Sequence, residues 1–316
     1  NTLDMSKWPA GLLLPGDIVR VVGSSGTLAN RPAYEIGRGG VGNAVLSDGV
    51  SLEVPQGVTM MIDAGAVFKL QGSRISTGSL SASINKSLSS LQVLGTPQEQ
   101  VRFTSYRDES IGRDTNPLTT IPGPGDWGGI DFHEEVDRRE GFGSYERRGI
   151  FLNYVSNADI RYGGGQITVS SPSPTVNPIN LTESRPTLLN NTIRFSADAA
   201  ISADPNSFEE TRFSEPRYQV AEAFRPDYGR IGPDLRGNIL LNNSTNGLFV
   251  KTATTAGGTL AGLDVSARWD DKDITYVLGE NLIIQGTPGG ALQETVGPNI
   301  SLLQQVGTSG GSLAAA

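Results

Sequence analysis

Short runs of strand-forming residues recur along this chain of 316 residues, and they restrict its fold more than any other feature. Most runs alternate apolar and polar residues or carry β-branched side chains, and small residues or Asn follow them. The runs lie at 58–70, 91–104, 127–132, 149–162, 188–203, 239–250 and 281–285. This repetition of strand, corner and strand predicts a solenoid.

Two of the runs align with each other. The aligned pairs are Ile193 with Ile239, Phe195 with Leu241, Ile201 with Leu248 and Ala203 with Val250. The offset is 46 residues in the first two pairs and 47 in the last two, so the second unit has one inserted residue. In a parallel β-helix every second side chain points into a narrow lumen. The alignment therefore predicts that Ile193, Phe195, Ile201 and Ala203 point inward.

Paired Asn residues stand where the corners of such coils are expected. Asn190 and Asn191 occur in the first unit, and Asn242 and Asn243 recur in the second. Asn tolerates the positive φ of a sharp bend, and its amide can satisfy backbone groups of a neighbouring coil. An ordinary turn explains a single pair as well, but the recurrence favours the solenoid.

The composition agrees with an all-β chain and removes several kinds of chemistry. The 40 Gly and 18 Pro residues disfavour long helices, while 37% of hydrophobic residues suffices for a core. Because Cys is absent, the chain has no disulfide, thiolate nucleophile or iron–sulfur site. The single His133 excludes a zinc site that needs two imidazoles, so any catalysis must use carboxylates, Arg, Lys, Tyr or hydroxyl groups.

Charge and hydropathy limit the partners of the chain. The net charge of −8 and the pI of about 4.8 disfavour nucleic acid and anionic membranes. No stretch approaches the apolar length of a transmembrane helix. The chain starts at Asn1 without Met or a leader-like segment, so we expect a mature or excised piece of a longer protein.

The runs divide the chain into three parts. Residues 1–57 contain strand-like stretches that we expect to cap the solenoid, and residues 58–290 contain the coils. Two polar stretches rich in Pro, Gly and charged residues, near 107–126 and 208–233, are expected to be insertions. Residues 291–316 have the composition of a tail or linker.

A succession of phrases resembles a known class of bacterial protein. The phrases are VPQGVTMMIDAGAVFKL, LQVLGTPQEQVRFTSYRDESIGRDT, PGDWGGIDF, NADIRYGGG, SADAAISADPNSFEET and GENLIIQGTPGG. They resemble the right-handed parallel β-helix segments of very large secreted or surface-anchored bacterial proteins of the planctomycete type. The resemblance covers most of residues 15–290 and implies an extracellular structural or adhesive role, with no catalytic residues to transfer.

Enzymes that cleave polysaccharides also use β-helices, so their motifs need comparison. The single His133 stands in FHEE, which is not the GHG motif that polygalacturonase-like hydrolases pair with two Asp. The RPDYGR string at 225–230 has its Pro one position too early for the RxPxxR motif of pectate-lyase-like enzymes. Neither catalytic pattern is met.

An acidic cluster is the candidate metal site. Its members are Asp126, Asp131, Glu134, Glu135 and Asp137. Ca²⁺ takes six to eight oxygen ligands from such side chains, so it is the one cofactor to consider, but the sequence has neither an EF-hand loop nor an RTX nonapeptide and we expect no cofactor otherwise. Four nearby Arg residues make an ion-paired surface the main alternative, and a catalytic carboxylate pair is a further one. A smaller acidic cluster, RWDDKD at 268–273, is likewise interpreted as the charged residues of an ordinary loop.

Aromatic residues mark a candidate binding surface. In the second insertion, aromatic and Arg side chains that could hold a glycan or a protein partner are Tyr218, Phe224, Arg225, Tyr228 and Arg230. Folding of the insertion onto the coils is the alternative. Trp127, flanked by glycines in GDWGG, either stacks on a sugar as an exposed platform or fills the lumen, and the family phrase favours the lumen.

The sequence therefore predicts an all-β, right-handed parallel β-helix of the pectate-lyase-like kind. We expect a structural or adhesive module of a secreted or cell-surface protein, without catalysis. A carbohydrate-active enzyme and a glycan-binding module remain as alternatives. The expected partners are polysaccharide or another cell-surface protein.

Overall fold

The regular secondary structure of the described residues consists almost entirely of short strands. The computed structural model describes residues 13–14, 16–36, 51–78, 89–113, 121–133, 153–167, 174–212, 229–252, 262–263, 265, 267, 269, 271–279 and 281–284. These residues contain strands β1 to β21 and two short 3₁₀ helices, Leu28–Asn30 and Pro205–Phe208, but no α-helix. The prediction of an all-β chain is confirmed.

Nineteen of the strands form three parallel sheets. Sheet I contains β1 (Ile18–Val21), β4 (Thr59–Asp63), β7 (Ser90–Leu94), β10 (Tyr154–Ser156), β13 (Thr187–Leu189) and β18 (Asp234–Arg236). Sheet II contains β2 (Tyr34–Ile36), β5 (Val67–Leu70), β8 (Val101–Ser105), β11 (Ala158–Arg161), β14 (Thr192–Arg194) and β19 (Ile239–Leu241). Sheet III contains β3 (Ser51–Glu53), β6 (Arg74–Thr77), β9 (Ile130–His133), β12 (Ile179–Thr182), β15 (Ala199–Ala203), β20 (Thr245–Val250) and β21 (Tyr276–Leu278).

The chain enters the three sheets in rotation. β1, β2 and β3 lie in sheets I, II and III, and each following set of three strands takes the same order up to β15. β16 (Glu210–Arg212) and β17 (Gly229–Ile231) then form a separate antiparallel pair, after which β18 to β20 resume the rotation. Because strands of one sheet come from successive coils of the chain, the arrangement is consistent with a parallel β-helix.

The strands of the first 57 residues are part of this rotation. β1 pairs in parallel with β4, β2 with β5 and β3 with β6. They therefore form the first coil, and their apolar residues Val19 and Val21 join the same core as the later coils.

Side chains of the same type stack in register along the inner face of each sheet. In sheet I the column is Val21, Ile62, Val93, Val155, Leu188 and Leu235. In sheet II it is Tyr34, Phe68, Phe103, Ile160, Ile193 and Leu240. In sheet III it is Leu52, Ile75, Ile130, Ile179, Ile201 and Leu248. Nearly all of these side chains are buried, because every second residue of a strand points to the same face.

The alignment of the two runs is right at one end and wrong at the other. Ile201 pairs with Leu248 and Ala203 with Val250, as predicted. Ile193, however, pairs with Leu240 at an offset of 47 residues, so the predicted offset of 46 is wrong in this strand, and the register shift lies instead within the β15–β20 pair, between Ala199 and Ile201. Since a shift of one residue reverses the face of every side chain, Ile239 and Leu241 point outward and are exposed.

Phe195 does not point inward as predicted. β14 ends at Arg194, and Phe195 has a φ of 58°, so the alternation of the strand has already stopped. Its ring stacks instead on Tyr162, one coil earlier, with centroids 5.5 Å apart. Tyr162 has a φ of 60°, and together the two residues form an aromatic stack at the corner after sheet II.

The predicted Asn corners are confirmed. Asn190 and Asn242 have φ values of 54° and 55°, the left-handed region that Asn tolerates well. Asn191 is buried, and its Oδ1 accepts a hydrogen bond from the Ala158 N–H while its Nδ2 donates to the Val155 carbonyl, both at 2.9 Å. Asn243 similarly accepts from the Ser196 N–H at 3.0 Å. The side-chain amides thus satisfy backbone groups of the adjoining coil.

Two Asp side chains of the RWDDKD segment bind the edge of sheet I. Asp271 Oδ1 accepts a hydrogen bond from the Leu235 N–H, and Asp273 Oδ2 accepts one from the Gly237 N–H, both at 3.1 Å. These carboxylates take the place of backbone carbonyls beside β18, the last strand in the order of that sheet. The segment therefore covers the edge of sheet I at β18, which could otherwise pair with another chain.

Asn191→Ala is expected to lower the free energy of unfolding by about 1 to 3 kcal/mol, because it leaves buried backbone groups without partners. Chemical denaturation monitored by circular dichroism measures the change. Asn190→Gly is the control. Asn190 is exposed and has a left-handed backbone conformation that Gly adopts easily. Gly237 occupies the equivalent position one coil later, with a φ of 63°. Equal losses in the two variants would contradict the role assigned to the Asn191 amide.

Candidate functional site

A row of polar side chains lies on the outer face of sheet III. The residues in register are Ser76, Asp131, Asn180 and Ser202. Each stands between two residues that point to the opposite face, as in the Ile130–Phe132 pair around Asp131. Because the inner neighbours are fixed in the core, the alternation of the strand holds these polar groups in one line.

Asp131 is the centre of this row. It is 1% exposed, and its Oδ2 lies 2.6 Å from an Arg74 guanidinium nitrogen and 2.8 Å from His133 Nε2. Its Oδ1 accepts a hydrogen bond of 2.5 Å from Asn180 Nδ2. Both carboxylate oxygens are thus occupied by nitrogen donors, which is what a buried charge requires.

Asn180 connects this carboxylate to a lysine. The Lys251 ammonium donates to Asn180 Oδ1, and Ser202 Oγ lies 2.9 Å from the same oxygen. Lys251 follows β20 directly, and its backbone N–H donates to the Ala203 carbonyl. We call Arg74, Asp131, His133, Asn180, Ser202 and Lys251 the Asp131 cluster.

The cluster changes the proton affinities of its two oppositely charged members. Burial alone would raise the pKa of Asp131, but the charge and hydrogen bond of His133, the charge of Arg74 and the hydrogen bond of Asn180 hold it well below its usual range. Burial lowers the pKa of Lys251, although the carboxylates around it, Asp131 among them, oppose the effect. Asp131 therefore stays ionised, while Lys251 gives up its proton more easily than a solvated lysine.

A second charged cluster lies on the outer face of sheet II. Asp159 is 2% exposed, and it accepts hydrogen bonds of 2.7 to 3.1 Å from the guanidinium groups of Arg161 and Arg194. Burial raises the pKa of Asp159, but the hydrogen bonds and charges of these two Arg residues outweigh it and lower the pKa. This Asp is the anchor of a structural ion pair that joins β11 to β14.

The predicted acidic cluster divides where the structure describes it. Asp126 accepts hydrogen bonds from Ser105 Oγ and the Gly123 N–H, and it lies 3.5 Å from an Arg107 nitrogen. Asp131 shares none of these partners. Glu134, Glu135 and Asp137 lie outside the described residues, and within those residues no three His, Asp or Glu side chains group as a metal ion needs. Ca²⁺ binding by the five residues stays a prediction.

The aromatic candidates have different outcomes. Trp127 is fully buried, and its Nε1 donates to the Arg161 carbonyl at 2.7 Å, so it belongs to the core and is not an exposed platform. Arg230 lies in β17, where its backbone pairs with Thr211. The other members of the predicted binding surface, Tyr218, Phe224, Arg225 and Tyr228, lie outside the described residues.

Sequence reasoning found Asp131 but missed the residues that surround it. A usable signal exists in each strand, since Ile-Ser-Thr, Ile-Asp-Phe, Ile-Asn-Leu and Ile-Ser-Ala all place one polar residue between two inward ones. The unequal spacing prevents these polar residues from being aligned by sequence, because Asp131 pairs with Asn180 across 49 positions and Asn180 with Ser202 across only 22. Lys251 carries no signal of its own, since it follows its strand and is not part of the alternation.

Comparison with protein-family models, curated proteins and solved structures gave no match. Among the described residues, no helix is long and apolar enough to cross a membrane.

Proposed function

We propose that this chain is a closed, right-handed parallel β-helix that serves as a structural or adhesive extracellular module of a larger secreted or surface protein, without catalysis. The rotation of the strands through three parallel sheets supports the closed coil. Right-handed crossovers between parallel strands are the strong general preference. The resemblance to secreted bacterial β-helix segments supports the location and the role.

The observation that carries the proposal is the pairing of acids with bases on the outer faces. Asp131 binds Arg74 and His133, and Asp159 binds Arg161 and Arg194, so each carboxylate has its own set of nitrogen partners. Cleavage of a polysaccharide by acid and base groups needs carboxylates or Arg that can reach one substrate atom together. Asp131 and Asp159 are buried in different sheets and do not converge on one substrate atom, which favours a scaffold.

A panel of acidic and neutral polysaccharides, with and without Ca²⁺, tests the proposal. We expect neither unsaturated products nor new reducing ends at any pH at which the chain is folded. Turnover that disappears in Asp131→Asn and persists in Asp63→Asn, a change at an exposed ion pair, would overturn the proposal in favour of a carbohydrate-active enzyme.

A glycan-binding module is the second candidate, favoured by the aromatic stack of Tyr162 and Phe195. Both rings are partly exposed, and the Arg194 guanidinium lies 5.9 Å from the Phe195 centroid. Aromatic faces beside polar groups are suited to sugar rings. If the panel detects binding, this candidate predicts that Phe195→Ala weakens it while the fold is retained, whereas unchanged binding would exclude the stack.

A further inference from the structure

The contact between Lys251 and Asn180 places a side-chain amine against a side-chain amide. The Lys251 nitrogen donates to Asn180 Oδ1, the oxygen bonded to the amide carbon Cγ. The amide is held in one orientation, because the ionised Asp131 Oδ1 can only accept and therefore binds the Nδ2 side. An amine, an amide and a carboxylate thus meet on the outer face of sheet III.

We propose that Lys251 and Asn180 become joined by an intramolecular isopeptide bond, with Asp131 as the catalytic carboxylate. The inference is independent of the proposed function, since it concerns a modification of the chain itself.

The reaction needs no oxidant, reductant or co-reactant. The lone pair of the neutral Lys251 Nζ forms a bond to Asn180 Cγ, and the bond between Cγ and Nδ2 breaks. Asp131, which already holds Nδ2, takes a proton from the attacking nitrogen and gives it to the departing nitrogen, so that ammonia leaves and the carboxylate is restored. One amide replaces another, and the atoms of one ammonia molecule are lost.

The surroundings favour this chemistry. Burial lowers the pKa of Lys251, which raises the fraction of the neutral amine that can act as a nucleophile. Asn180 is 7% exposed, so water competes poorly for its carbonyl carbon. Ser202 Oγ, 2.9 Å from Asn180 Oδ1, can donate to the charge that develops on that oxygen.

The bond would fasten two coils that are not neighbours. Asn180 lies on β12 and Lys251 follows β20, with β15 between them in sheet III. The link spans 71 positions of the chain. A cross-link over such a length restricts the unfolded chain, in the way that a disulfide does in proteins that contain Cys.

Mass spectrometry of the purified, denatured chain tests the proposal. We expect a mass lower than that of the sequence by one ammonia molecule, about 17 Da. After trypsin digestion we expect one branched peptide that joins residues 162–194 to residues 237–268, because trypsin does not cut after a lysine whose nitrogen is acylated. A chain with its full sequence mass, and a free peptide 237–251, would overturn the proposal.

Matched variants separate this bond from other losses of ammonia. Lys251→Arg should have the mass calculated from its own sequence. Lys272→Arg, a change at an exposed lysine, should still be lighter than its calculated mass by one ammonia molecule. Asp131→Ala should also restore the mass although both bonding residues remain. An Asn that cyclises, for example at Asn246–Gly247, also loses ammonia. In that case Lys251→Arg would still be lighter than its calculated mass and no branched peptide would be found, and that result would overturn the proposal. If a variant does not fold, the mass and the branched peptide of the unaltered chain still decide.

Discussion

Phe103→Ala is expected to lower the free energy of unfolding by about 3 to 5 kcal/mol, as measured by chemical denaturation. Phe103 is fully buried in the inner column of sheet II, and its ring stacks on Phe68 with centroids 5.1 Å apart. Phe68 in turn lies 5.2 Å from Tyr34. Truncation at Phe103 removes the ring that continues this stack and leaves a cavity that the surrounding strands, paired on both sides, cannot close.

Phe195→Ala is the matched control for this prediction. Truncation of the partly exposed Phe195 removes its stack with Tyr162 and its contact with the Arg194 guanidinium, and we expect a loss of about 1 kcal/mol. The comparison also tests the correction of the sequence alignment, which predicts that Phe195 points inward. Losses of equal size would mean that Phe195 lies in the core, and would contradict the register of sheet II.

Asp159→Asn is expected to lower the free energy of unfolding at pH 7 by about 2 to 4 kcal/mol. The substitution removes the charge that Arg161 and Arg194 share and replaces an oxygen acceptor by an NH₂ donor facing them. Asp63→Asn is the control, because Asp63 pairs with Arg20, whose side chain is 68% exposed. Such an exposed pair contributes about 1 kcal/mol or less.

The effect of Asp159→Asn depends on pH in a defined direction. The pKa of Asp159 is lowered in the folded chain, so its contribution is complete above the pKa of an unfolded Asp, about 3.9. It is lost as the pH falls through the lower pKa of the folded state. The difference between the unaltered chain and the variant should therefore shrink below about pH 4. A difference that stays constant down to the acid transition would show that Asp159 does not act through its charge.

Most of the fold follows from local sequence patterns. Runs such as Ile179–Asn180–Leu181 predict both the strand and the face that it buries, and Asn190 predicts the corner that follows a strand. The register between coils does not follow, because Ile239, Leu240 and Leu241 are all apolar and alternation cannot choose the inward residue. Only pairing of Leu240 with Ile193 in the neighbouring coil makes that choice.

The candidate sites were predictable only in part. Asp126 and Asp131 are close in sequence, but Asp126 lies in the loop before β9 and Asp131 on the outer face of that strand, so they bind different partners. The contact of Lys251 with Asn180 depends on coils of unequal length. No fixed spacing in the sequence could reveal it.

The distance between two spin labels in sheet I tests the stacked coils most directly. The chain has no Cys, so Arg20→Cys and Asp234→Cys provide unique attachment sites on β1 and β18. These positions are in register along the sheet and five strand spacings apart, which predicts a backbone separation of about 24 Å. A narrow distribution centred near this value, allowing for the length of the labels, supports the account. A broad distribution, or a mean far longer than this separation, would contradict it.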